Sequence, residues 1–409
     1  LTDYRSDELK EIIKLRSKPT NVRPISHATF YWNSEHFTFQ RPNFYSSVRM
    51  YSSRNMNMES PYNSEGLLNH HRGDGANHIY TRGVEYEDIS PVLDYQKIPG
   101  TTVVQKDQLP YHSEIKKLGL TDFVGAVTDG RYGAVGFDFK SIHDPLVARK
   151  SWFFFDEQYV CLGSGISSKS KNQVNTTINQ CWLNGEVNIS SQGKSRKLDQ
   201  GSQVLKNVKW IHHDNVAYFL PAQGDIALQN DTAEGSWWRI NRQIDSPKDQ
   251  IRKEVFKLWI NHGVSPNNES YEYIVRPNTR LDKLEKGKVI NPIDIISNTP
   301  HLQAVQNKEL NLIQAVFYRA GQLEAGNELI IEVSAPCILM VQLNQNDQID
   351  QITVSDPNRE LSMLALNISK EFEVTTQNYR SKWLADQGVS EIMVRLPKDE
   401  YLGKSILIR

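Results

Sequence analysis

The apolar residues of this chain change their period once. Over roughly the first 20 residues they recur at helical spacing. Leu9, Ile12, Ile13 and Leu15 form one stripe, with Asp7 and Glu8 early and Lys14 and Arg16 late, as the helix dipole favours. Pro19 and Pro24 end that pattern. From Ala28 onward apolar and polar residues alternate. Thr29-Phe30-Tyr31-Trp32, Phe37-Thr38-Phe39 and segments 45–51, 132–139 and 216–220 predict strands. Asp129-Gly130, Asn184-Gly185 and Gln223-Gly224-Asp225 predict turns between such strands. Short strands with little helix predict a mainly β protein, built as a large antiparallel β-sandwich. The polar stretch 281–299, with Lys283, Lys286 and Lys288, reads as a loop or αβ excursion late in that domain. Segments 315–318, 328–333 and 337–341 then open a second strand series that runs to Ile408. The expected division is a helix and linker at 1–22, a central β-sandwich at 23–310 and a small C-terminal β-domain at 311–409.

A chain of 409 residues is long enough for two or three domains with sizeable cores. Its net charge of −1 gives no global field to draw in nucleic acid or an anionic membrane. A polyanion would have to be held by a local cluster of Arg, Lys and His. No stretch approaches the length of a transmembrane helix. Aromatics make up 10%, with 8 Trp and 17 Tyr, which suits stacking on pyranose faces and equally a β-rich core. Cys161, Cys181 and Cys337 are odd in number and widely spaced, which is no disulfide framework. Cys161 and Cys181 sit in apolar strand-like runs, as buried thiols do. The chain begins at Leu1 rather than Met, so it reads as a segment of a longer precursor, and the lack of a visible signal peptide leaves the compartment open.

The densest chemistry lies in Met58-Glu59-Ser60-Pro61-Tyr62-Asn63-Ser64-Glu65-Gly66 and the following Asn69-His70-His71-Arg72-Gly73-Asp74-Gly75. A core strand would not hold so many polar groups, whereas a site for a polar, anionic ligand would. Glu59 is either a carboxylate that orients a catalytic partner or a solvated edge charge, and composition alone favours the second. Asn63 is either a donor to a substrate carboxylate or an ordinary turn residue. Arg49 lies in an alternating run and faces either the site or a structural salt bridge. His70-His71 and His212-His213 are sequence neighbours, which in a strand point to opposite faces, so surface or hydrogen-bonded histidines are favoured over a metal site. His212-His213-Asp214 reads as a turn before a strand. Trp152-Phe153-Phe154-Phe155 reads as sandwich core. Trp237-Trp238 is a sugar platform or a core element. Arg149 and Lys150 mark the edge of a basic patch or a solvated strand end. No phosphate-cradling loop, nucleophile elbow or His-Glu-x-x-His motif is present in the sequence.

Several stretches, in order, resemble one enzyme family. They are Ser47-Val48-Arg49-Met50, the 59–63 segment, Gly73-Asp74-Gly75-Ala76-Asn77, Arg82-Gly83 with Glu85-Tyr86, and Lys97-Ile98-Pro99-Gly100-Thr101-Thr102. They continue with Lys150-Ser151-Trp152-Phe153-Phe154-Phe155-Asp156, Cys161-Leu162-Gly163, Thr176-Thr177 with Asn179-Gln180, the run Val255 to Gly263, and Leu302-Gln303-Ala304-Val305. The chain thereby resembles the β-rich C-terminal half of polysaccharide lyase family 8, the chondroitin, hyaluronan and xanthan lyases, and most of all its chondroitin AC members.

The resemblance implies a helical toroid ahead of a central sandwich and a small C-terminal β-domain, with residues 1–22 as the remnant of the toroid. It implies β-elimination across C4 and C5 of a uronic acid, with the catalytic His, Tyr and Arg on the toroid. The implied partners are an acidic polysaccharide and that N-terminal helical domain, with no nucleic acid and no membrane. Glu59 becomes the supporting catalytic carboxylate, with Asn63 and Arg49 as substrate-binding candidates. Tyr62 or His70 as a base within this chain is the disfavoured alternative. The family's calcium positions match here as Asp94, then Gln96 and Gln105, and amides in place of carboxylates imply calcium that is weak or absent, so no cofactor is expected. A secreted or periplasmic bacterial enzyme is expected. A non-catalytic glycosaminoglycan-binding or structural β-module is the rival.

Overall fold

The computed structural model describes residues 6–17, 25–191, 193–221, 224–326 and 328–409. Pro19, Pro24 and Gln223, expected to stop the helix and make a turn, lie outside them. The predicted helix is Ser6–Ser17, and Leu9, Ile12 and Ile13 of its apolar stripe are exposed. None of the helices described is long and apolar enough to cross a membrane.

Antiparallel sheets, joined by loops and short helical turns, dominate the rest. His27–Tyr31, His36–Arg41, Phe44–Arg49 and Ala76–Tyr80 form a four-stranded sheet in sequence order. A five-stranded sheet contains Thr102–Val104, Gln173–Trp182, Ile251–Val264, Ile226–Gly235 and Gly201–Leu205. Both lie on one face of a nine-stranded sheet that runs from Lys194–Lys197 to Val124–Thr128. Strand Leu146–Phe154 shows why. Its side chains alternate between faces. Ala148, Trp152 and Phe154 join the core shared with the first two sheets, while Phe153, with Phe155 just beyond the strand, joins a second core on the other side. That second core includes Val305, Val316, Ile338 and Met340 of a six-stranded sheet, whose far face covers a last five-stranded sheet. A strand buried on both faces reads as a continuous apolar run, which is the pattern seen here. Cys161 and Cys181 are buried free thiols, as the sequence suggests, and Cys337 is a third.

The expected domain division at 310/311 falls inside a hairpin. Leu302–Asn307 pairs with Leu312–Phe317, and Ile293–Asn298 pairs with the first of these. The six-stranded sheet therefore begins at Ile293, and hydrogen-bond continuity places the division after the short helix Leu281–Glu285. The lysines around it mask a short strand whose alternation is brief.

His212 and His213 correct another expectation. They end strand Val208–His213, and the turn is Asp214–Asn215, both at positive φ. His213 is buried and stacks on Phe256 with ring centroids 4.3 Å apart. Its Nε2 accepts the Asn184 backbone N–H at 3.0 Å, which requires the neutral ring. Burial holds this imidazole down at about 4. An unfolded histidine titrates near 6.5, so between these values the unfolded chain binds the proton and the folded chain does not. Stability therefore falls as pH drops from about 6.5 to about 4. The urea midpoint should drop between neutral pH and about pH 5, and less so in His213→Gln. An equal drop in both proteins would assign the acid sensitivity elsewhere.

Candidate functional site

The polar segment picked out by the sequence is one long excursion between adjacent strands. The chain leaves the four-stranded sheet after Arg49 and re-enters it at Ala76. Its neck is closed by Gly75 N–H donating to the Arg49 carbonyl at 3.0 Å. Lys150 braces the neck from below, its ammonium donating to the carbonyls of Asp74 at 3.0 Å and Gly100 at 2.6 Å. Lys150 is thus fully buried, not a solvated strand end, and burial lowers its pKa to about 7. Gly100 adopts φ +84°, and a Cβ there would lie 2.5 Å from the Gly75 carbonyl, so the two loops meet only because glycine is present. Arg149 instead pairs with Asp138 and lies over the Tyr318 ring.

The tip of the excursion is also tied down. Asn57 N–H donates to the Lys117 carbonyl at 3.0 Å, and Leu67 N–H donates to the Ile240 carbonyl at 3.1 Å. Between these ties lies a recess of about 420 Å³, lined by Glu59, Tyr62, Asn63, Glu65 and Asn69 among others. Glu59 and Asn63 are therefore brought together, and both are exposed. The Asn63 amide donates to Glu65 Oε2 at 2.9 Å, which adds a second carboxylate that sequence reasoning left aside. Tyr62 is 82% exposed, and the Lys116 ammonium lies 5.9 Å from its ring centre. Arg49 is not among the recess-lining residues. Its guanidinium donates to the Ser34 carbonyl at 3.0 Å. A larger hollow of about 780 Å³ lies where the two domains meet, but its Lys308 is paired with Asp294 at 2.5 Å.

Of the two expected alternatives, surface or hydrogen-bonded histidines, His70 and His71 are not at the surface, and His71 is hydrogen-bonded. They sit in the short 3-10 helix Asn69–His71, and both rings turn inward and are buried. Each meets His143, with ring centroids 5.4 Å and 5.9 Å away. His71 Nδ1–H donates to Asp74 Oδ2 at 2.8 Å. Burial lowers the pKa of His70 and takes His143 to about 4, so neither carries charge near neutrality. No three His, Cys, Asp or Glu side chains among the described residues are arranged to hold a metal ion. Complete burial also removes His70 from contact with anything held in the recess.

The loop around Asp94 was expected to bind calcium weakly or not at all. Here the Lys97 ammonium sits between Asp94 Oδ2 at 3.0 Å and Gln105 Oε1 at 2.7 Å. Gln96 spends both amide atoms on the Lys106 backbone, at 2.8 Å and 2.7 Å. Burial alone would raise the Asp94 pKa, but the charge and hydrogen bond of Lys97 hold it low. The donor set does not suit a hard divalent cation, because its carboxylate is already neutralised by an ammonium and the flanking amides are engaged.

Sequence reasoning missed the neighbour of the recess. Residues 236–248 form a loop whose Arg242 N–H donates to the Ser64 carbonyl at 2.8 Å, while Glu65 and Asn241 form an antiparallel bridge. The Trp237-Trp238 pair was the visible signal. Trp237 packs on the cluster of Ile89, Val92 and Leu93, whereas Trp238 turns toward Arg242 and Lys248.

The profile of polysaccharide lyase family 8, super-sandwich domain, matches residues 26–288, and that of the family's C-terminal beta-sandwich domain matches residues 294–365. The gap between them coincides with the division read from the sheets. Chondroitinase-AC of Pedobacter heparinus is 35% identical over 394 residues, which is 95% of this chain and 52% of that protein. Xanthan lyase of a Bacillus species is 31% identical, over 68% of this chain and 31% of that protein. A solved chondroitinase AC lyase, studied in enzyme–oligosaccharide complexes, superposes with a TM-score of 0.87 at 31% identity, over 99% of this chain and 58% of that one. The chain thus spans about half the length of the chondroitinase, and less of the xanthan lyase. With both domain profiles matched in order along its layered sheets, the chain belongs to polysaccharide lyase family 8.

Proposed function

We propose that this chain is the β-rich part of a lyase that cleaves uronic-acid-containing glycosaminoglycans, chondroitin sulfate or hyaluronan, by β-elimination. The observation that carries the reading is the recess, which Glu59 and Asn63 both line on a segment held at neck and tip. In the reaction a base removes the C5 proton, the electron pair forms the C4=C5 double bond, the C4–O bond breaks, and an acid protonates the leaving oxygen. The Asn63 amide, released from Glu65, is suited to donate to the substrate carboxylate and acidify C5. Glu59 is suited to accept a hydrogen bond from a catalytic group and so orient it.

Base and acid are assigned to an N-terminal helical domain of the same protein. Support comes from the buried state of His70 and from the share of the relatives' length that this chain spans. Calcium is not needed in this reading, since Lys97 supplies a positive charge within the loop. A secreted or periplasmic location follows from a substrate that is an extracellular polymer.

The test is to incubate the chain with chondroitin sulfate and with hyaluronan, with and without a calcium chelator. Expected are binding of the polymers, no substantial rise in ultraviolet absorbance from unsaturated product, and no effect of the chelator. Steady product formation would overturn the division of labour and bring Tyr62, exposed at the rim, forward as base. Failure to bind either polymer would sink the reading altogether.

A further inference from the structure

An anionic polymer meets a difficulty at this recess, because Glu59 and Glu65 both line it and repel a uronate or a sulfate. The 236–248 loop carries the opposite charge to the same place. The Arg242 guanidinium lies 4.7 Å from the centre of the Trp238 ring and the Lys248 ammonium lies 4.5 Å from it. Both cations are exposed. Neither has a carboxylate within ion-pair distance among the described residues, although Asp245 lies in the loop and Asp249 directly follows it. The ring is not left bare as a sugar platform. It fixes two long, mobile side chains through cation–π contact, so that less freedom is lost when they meet an anion.

The loop itself is built rather than loose. Trp238 N–H donates to the Pro247 carbonyl at 3.0 Å, which draws its two ends together. Arg239 anchors its base to the carbonyls of Leu93 at 2.8 Å and Pro91 at 3.3 Å. Gly235 precedes it, where a Cβ would fall 1.8 Å from the Pro91 carbonyl oxygen, so only glycine lets the chain enter this close. Arg242 then bonds through its backbone to Ser64, next to Asn63.

We propose that Arg242 and Lys248, held by Trp238, form a subsite beside the Glu59 recess that takes an anionic group of the polysaccharide, a uronate carboxylate or a sulfate ester. The proposal rests on the glycosaminoglycan reading above and names a part of the site that reading does not.

The experiment measures binding of the chain to chondroitin sulfate, desulfated chondroitin and hyaluronan at low and moderate salt. Variants are Arg242→Gln with Lys248→Gln, the conservative pair Arg242→Lys with Lys248→Arg, and Trp238→Ala. The Gln pair should bind about three- to tenfold more weakly and with a flatter salt dependence. The conservative pair should restore most of the affinity, and Trp238→Ala should fall between. A loss confined to chondroitin sulfate assigns the subsite to sulfate, and an equal loss on all three assigns it to the carboxylate. If the unaltered chain binds and the Gln pair binds equally well with the same salt slope, the subsite is overturned while the broader reading stands. If the unaltered chain binds none of the three polymers, both fall together. The two Gln replacements are at exposed positions, so their result does not depend on whether the Trp238 variant folds.

Discussion

Glu35→Ala should destabilise the protein by about 3–5 kcal/mol, the usual cost of stripping one partner from a buried ion pair. Glu35 is fully buried and sits where the two domains touch. Its Oε1 accepts from Ser52 Oγ at 2.5 Å and from Arg54 at 3.0 Å, and the Arg359 guanidinium lies 3.6 Å away. Arg54 continues across the junction to the carbonyls of Pro357 at 3.2 Å and Asn358 at 3.3 Å, and Arg359 returns to that of Trp32. Without the carboxylate, two guanidiniums from different domains would lose the charge they share, and of its carboxylate contacts Arg54 would keep only that with Asp122, at 3.7 Å. The expected result is a lower urea midpoint, with faster proteolysis in the 286–292 connection as the C-terminal domain loosens. Glu35→Gln, which keeps the shape and the acceptor oxygen, should lose less. If alanine and glutamine were both neutral, the cluster would not be what holds the junction.

Phe154→Ala should cost a comparable amount, about 3–5 kcal/mol, from lost burial and the cavity left behind. Phe154 is fully buried, and its ring centroid is 5.0 Å from those of Phe37 and Phe39 and 5.1 Å from that of Tyr159. Phe37 and Phe39 belong to the four-stranded sheet, and Phe154 to the nine-stranded sheet beneath it. The side chain is therefore the pin between the main scaffold and the sheet whose excursion carries Glu59 and Asn63. Urea unfolding gives the magnitude. Hydrogen exchange should also quicken in strands His36–Arg41 and Phe44–Arg49 more than in the C-terminal sheets. Phe154→Leu, which fills most of the space, should lose less. Uniform exchange rates across the variant would mean that the first sheet is held by other contacts.

Much of the architecture is legible in the sequence, for identifiable reasons. Alternation is a local signal, and wherever one face of a strand is buried it must appear in the sequence. The strands near Phe37, Val48, Val135 and Tyr218 accordingly fall where the alternation places them. The Trp152–Phe155 run reads as core because it is buried on both sides. The polar 58–75 segment stands out for the opposite reason, since so many polar groups in one run do not fit a core.

What escapes the sequence depends on partners far away along the chain. Nothing local says that Lys150 is buried, because its hydrogen-bond partners are 76 and 50 residues distant. His70 and His71 look solvated until their 3-10 turn points both rings at His143. Ile293–Asn298 falls on the wrong side of the expected domain division because its identity as a strand lies in its pairing with Leu302–Asn307 rather than in its composition. The recess shows the same division. Glu59 and Asn63 are four residues apart and can be named together from the sequence. Arg49, just ten positions earlier, turns away toward Ser34. Arg242 and Lys248 belong to a loop far along the chain, which the contact of Arg242 with Ser64 brings beside the recess. The sequence by itself determined which segments alternate, which runs are apolar enough for a core and which run is dense in polar groups, because those follow from local period and composition. Tertiary structure alone decided which charges are sheltered and which distant loop completes the recess, because burial and pairing belong to the packed chain and not to any stretch of it.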